Sequence, residues 1–116
     1  KFSLNFNNQL TPELDVNAVG GIATYLITDY DPQIGIDPED ELVASTDFYG
    51  QWISGTSIAV VLIATDGTTK ATITMPAVSY REVADTDRDG IAALEITGQC
   101  SHSAGNDAVT IAAAAV

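Results

Sequence analysis

Asp85, Asp87 and Asp89 alternate along the segment Asp-Thr-Asp-Arg-Asp-Gly and end on Gly90, the spacing in this chain best suited to chemistry. Carboxylates at alternate positions followed by Gly form the first half of an EF-hand-type calcium loop. There, hard oxygen donors wrap the ion and Gly permits the sharp turn. The second half is missing. Position twelve is Ile96 where a bidentate Glu is required, and Glu95 is one residue off, facing the opposite side in a strand. Arg88 adds a competing cation inside the loop, and the flanks read as strands rather than helices. The segment reads as a solvated acidic turn between two strands. A calcium-binding secreted or surface β-sandwich module is the alternative function this motif keeps open.

Other reactive side chains are sparse. His102 is the only histidine and Cys100 the only cysteine, two residues apart with no third group to orient them. Two such residues also fall short of a zinc ligand set. Carboxylates are plentiful, but none sits in an apolar setting that would raise its pKa for acid–base work. Gly20-Gly21 lacks the Lys and Gly-rich frame of a phosphate loop. No enzyme signature results, so no catalytic, cofactor-binding or metal-binding residue is assigned and no cofactor is expected. Trp52 reads as a core anchor of a short helix.

Sixteen acids against Lys1, Lys70, Arg81 and Arg88 give a net charge of −12. Four scattered cations cannot neutralise a row of phosphates, which excludes tight nucleic-acid binding. The same charge would keep DNA from sticking to a surface it slides past. At 116 residues the chain fits one domain with a core of its own. No apolar run approaches the ~20 residues of a membrane helix, so no membrane insertion is expected. A lone cysteine rules out an internal disulfide. A start at Lys1 rather than Met fits a processed chain or part of a longer one.

The elements that would position these groups are mostly strands. Residues 2–6 alternate Phe2, Leu4 and Phe6 with polar residues, and residues 7–12 break that strand at Asn7-Asn8-Gln9 and Thr11-Pro12. Residues 22–30 form a second strand. From Asp29 to Asp47 seven acids and no base read as a long acidic loop, or a loop with a short extended piece inside it. Its length suits either plain solvation or an arm reaching a neighbouring subunit. Residues 47–55 predict a short helix capped by Asp47 and Gly55, with Phe48 and Trp52 on one face.

Residues 57–65 and 68–75 form a hairpin around Asp66-Gly67. Pro76 ends that ladder, residues 78–83 resume it, residues 91–97 follow the acidic turn, and residues 108–115 close the chain after a turn over 101–107. Residues 58–64 are apolar on both faces, and the last strand is rich in alanine. Both features fit ordinary core strands or a layer supplied by a neighbouring subunit. The sum is a mainly β domain, an antiparallel sandwich or barrel with one short α-helix, spanning residues 1–116.

Pro76-Ala77-Val78-Ser79-Tyr80-Arg81-Glu82-Val83, the acidic Asp-Gly turn and residues 91–97 together resemble the C-terminal part of tail tube proteins of long-tailed bacteriophages. The opening Phe-Ser-Leu-Asn-Phe-Asn-Asn and the short helix before a long hairpin are also similar to that family. The resemblance implies a structural virion subunit, assembled in the bacterial cytoplasm, that self-associates into hexameric rings. The rings stack into a hollow tube, contact other tail proteins and pass genomic DNA without specific binding. Exposed strand edges would be satisfied by the next subunit, and an acidic bore would let DNA slide. The acidic tract 29–47 and the Ala-rich end match no pattern of the family.

Overall fold

The computed structural model describes residues 1–40 and 44–116. Strands β1 (Phe2–Asn5), β2 (Gln9–Leu14), β3 (Ile22–Asp29) and β4 (Gln33–Ile36) precede helix α1 (Phe48–Ser54). Strands β5 (Ile58–Thr65), β6 (Thr69–Arg88), β7 (Ile91–Ser101) and β8 (Thr110–Ala115) follow it. Among the described residues all pairings are antiparallel and there is one short helix, so the chain is mainly β, as its residue pattern predicts. A six-stranded sheet runs β1-β4-β7-β6-β5, with β8 also on β6, and does not close into a barrel. β2 and β3 make a separate two-stranded sheet.

The organising element is β6, a single strand of 20 residues. Pro76 does not end it, contrary to the expectation of two strands. Pro lacks an N–H, and here it sits where neither neighbour demands one. β8 pairs only as far as Thr74, β7 begins at Ala77, and a bulge interrupts the β5 ladder between Val60↔Met75 and Ile58↔Val78. β6 therefore belongs to two regions. Its second half, with β7, β4 and β1, forms the body; its first half, with β5 and β8, forms an arm.

One face of the body sheet holds the core. Ile34, Met75, Val78, Leu94 and Ile96 are its most deeply buried side chains, with Tyr80, Val83 and Cys100 beside them. Phe2, Leu4, Phe48 and Val109 pack against this cluster, so α1 and the segment before β8 help to cover it. Gly98 lies at its centre because β-carbon space is lacking: a Cβ there would meet Val78 Cγ1 at 2.8 Å and Ile34 Cγ1 at 3.3 Å.

The short helix forms where its caps predict. Asp47 accepts the Gly50 N–H at 2.7 Å, and Gly55 closes the helix at φ 65° with its N–H on the Trp52 carbonyl. Phe48 turns to the core, 6.4 Å from the Tyr80 ring. Trp52 does not anchor the core as expected. It is 37 % exposed, and its Nε1–H donates to the Arg81 carbonyl at 2.9 Å. That bond satisfies backbone at the bulge that interrupts β6 between Tyr80 and Glu82.

One strand, β2, went unpredicted, and the short extended piece allowed for inside the acidic tract is β4. β4 lies inside the acidic tract and sits between β1 and β7 with Ile34 buried. Beyond it the tract stays on β7: Leu94 and Asp40 N–H groups join Pro38 and Ala92 carbonyls, and Glu39 bridges to Ala93. The described part up to Asp40 is thus sheet and sheet margin rather than a free arm, while Glu41 falls outside the described residues. β2 contains Pro12 yet pairs with β3, since a strand with a free edge tolerates a missing donor.

Candidate functional site

The three alternating aspartates do not meet. β6 runs on to Arg88, so Asp85 and Asp87 lie on the strand rather than in a loop, and the turn is only Asp89-Gly90. Those two residues have φ 55° and 86°, the left-handed pair of a tight two-residue hairpin, which Gly90 adopts without strain. Asp85 Oδ1 accepts the Tyr49 O–H at 2.6 Å, tying α1 to β6 and raising the tyrosine pKa. Asp87 Oδ1 accepts the Gly90 N–H at 3.0 Å and serves the turn. Among the described residues no three His, Cys, Asp or Glu side chains converge as a metal group would require. Arg88 turns away to Glu39 at 3.0 Å and Asp37 at 3.6 Å, on the margin of β4.

Cys100 is buried in the core, where desolvation first and Asp31 second push its thiol pKa up, away from a reactive thiolate. His102 lies past the end of β7 and stacks on Tyr30 at 6.3 Å, which stacks in turn on Phe6 at 6.3 Å. These rings stand at the root of the β2–β3 hairpin. There Asn7, held at φ 48°, donates to the Asp31 carbonyl, and the Asp31 carboxylate takes Gln99 Nε2 at 2.6 Å and Gln33 Nε2 at 2.7 Å. Gln99 Oε1 accepts from Arg81. The acid, amide and guanidinium side chains here fix where the hairpin leaves the body.

A cleft of about 280 Å³ lies on the other face of the body sheet, lined by Ser3, Asp37, Thr86, Glu95 and Thr97 among others. Asp37 Oδ1 is buried there without a hydrogen-bond partner among the described residues. The register places Glu82 opposite Thr97 and Ala84 opposite Glu95, so exposed Glu82 and Glu95 share this face. The cleft holds carboxylates, hydroxyls and Lys1, with neither a histidine nor an activated nucleophile in its lining.

The feature that residue types alone did not reveal is an apolar surface on the hairpin. Both of its strands are exposed throughout, and neither touches any strand or helix but the other among the described residues. Leu10, Leu14, Ile22, Tyr25 and Ile27 are 38–77 % exposed. The arm is open too. Residues 58–64 are not buried on both faces as their composition suggests, for Val61 and Ile63 are 53 % and 54 % exposed and β8 is exposed along its length. The signal was available as apolar residues at alternate positions, but alternation cannot say which core they face. Comparison with known proteins finds no matching family model, no matching curated protein and no matching solved structure.

Proposed function

We propose that this chain is a structural subunit that self-associates into rings stacking as a hollow tube, like the tail tubes of long-tailed bacteriophages. The observation that carries this reading is the amount of structure held outside the core. A hairpin and a three-stranded arm extend from one small body, giving a radius of gyration of 18.5 Å where a compact chain of this length has about 13 Å. A two-stranded hairpin is marginal on its own in water, and contiguous exposed apolar surface marks an interaction site.

Charge supports the same reading. The polar sheet face with Glu82 and Glu95 suits the wall of a bore, where carboxylates repel the phosphates of passing DNA. Lys1 lies on this face too, but at net charge −12 the chain as a whole repels phosphates. Negative-stain microscopy of concentrated protein tests the proposal. Rings or hollow tubes are expected, and a strict monomer at every concentration would overturn it.

A further inference from the structure

We propose that the apolar face of the β2–β3 hairpin seats on the outer face of the β5–β6–β8 arm of a second copy of this chain. This contact presupposes the self-assembling subunit proposed above and identifies the surfaces that join. Register pairs Leu10 with Ile27, Pro12 with Tyr25 and Leu14 with Ile22, so three apolar rows share one hairpin face. The opposite face is more polar: it carries Glu13 with Thr24, and Thr11 opposite Leu26 and bonded to Thr28 at 3.2 Å, with Leu26 its one large apolar side chain. An amphipathic pair of strands needs its apolar side covered, and no other strand or helix of the chain covers it among the described residues.

The arm offers a matching surface. Its outer face also presents three rows: Val61–Thr74–Thr110, Ile63–Thr72–Ala112 and Thr65–Lys70–Ala114. Rows along a strand recur at the same interval in both sheets, so three lie on three. Small Thr and Ala side chains let a second sheet approach to the usual spacing of about 10 Å. Charge selects the arm over another hairpin. Residues 9–29 carry Asp15 and Asp29 at the ends of the strands, Glu13 on the opposite face and no base, so a second hairpin offers those ends no countercharge. The arm face carries Lys70, which pairs with no carboxylate among the described residues. Because donor and acceptor surfaces differ, the contact is heterologous and propagates from copy to copy.

Two variants of the full chain test this: Tyr25→Asp with Ile27→Asp on the hairpin, and Val61→Asp with Ile63→Asp on the arm. All four side chains are exposed, so both variants are expected to melt as the wild type does; if either melts early, Tyr25→Ser and Ile63→Ser replace them in the same design. By sedimentation each variant alone is expected to associate at least about 100-fold more weakly. Mixed together they are expected to form a one-to-one heterodimer that grows no further, since each retains one intact surface. An arm variant that assembles like wild type, or a mixture that stays monomeric, overturns the contact. Hollow wild-type tubes without the heterodimer reject this contact and keep the tube; a heterodimer alongside wild-type filaments lacking a bore does the reverse. Lys70→Glu is expected to weaken association by about tenfold at low salt, less as salt rises, and an absent effect would overturn the charge-based choice of the arm.

Discussion

Ile96 and Ile27 are both isoleucines on antiparallel strands, yet one is fully buried between β4 and β6 and the other is 61 % exposed on the hairpin. Body and hairpin use the same strand chemistry with opposite results. In the body, β4 and β7 each lie between two neighbours and the sheet has one covered face, so the apolar side chains on that face contribute to folding. In the hairpin, each strand has one neighbour and neither face is covered. Backbone pairing without a covered face sets shape and leaves the apolar free energy unspent, available to whatever docks there.

The comparison is easiest to break in the core. Ile96→Ala is expected to lower unfolding free energy by about 2–5 kcal/mol, read from urea denaturation. A smaller loss would mean that the body is loosely packed and differs little from the hairpin. Gly98→Ala tests the same region from the other side. Its added methyl enters the 2.8 Å gap before Val78 and is expected to cost about 1–3 kcal/mol as overpacking.

Acid sharpens the contrast in the turns that border the arm. Asp66 accepts the Thr69 and Thr68 N–H groups, and Asp107 accepts those of Ser103 and Ala104, which lowers the pKa of both carboxyls. A depressed folded-state pKa stabilises the fold above the ordinary carboxylate range, and that contribution fades as pH falls through the depressed values. The denaturation midpoint is therefore expected to fall below about pH 4, with a shallower fall in Asp66→Asn. The smallest effect belongs to the hairpin: Ile27→Ala in the monomer is expected to stay within about 0.5 kcal/mol of wild type. A loss comparable to Ile96→Ala would show that the hairpin is covered in solution.

Local chemistry was the legible part of this fold. Asp47 and Gly55 bracket the helix because capping needs only a side-chain acceptor and a left-handed residue, both visible in sequence. Asp-Gly at 66–67 and 89–90 marks turns for the same reason. Pro12 and Pro76 misled because the penalty for a missing N–H depends on whether a neighbour demands it, which is a property of the sheet. β4 was legible only as a short extended piece without a place, because four residues among seven acids carry too little periodicity, and its burial comes from β1 and β7. The aspartates at 85, 87 and 89 shared a spacing but not a site. Spacing along a loop brings oxygens together, while the same spacing along a strand lays them out in a row.

The continuity of β6 has a mechanical consequence. At about 3.3 Å per residue, its 20 residues reach roughly the 62 Å length of the molecule, so one uninterrupted backbone joins arm to body. A pull on the arm along this strand loads the β6–β7 ladder in shear, where eleven residue pairs from Ala77↔Ser101 to Arg88↔Ile91 resist together. Tension across the strand would instead unzip the pairs one at a time. The body is therefore stiffest along the axis of its longest strand, the direction in which a stretched assembly would transmit force.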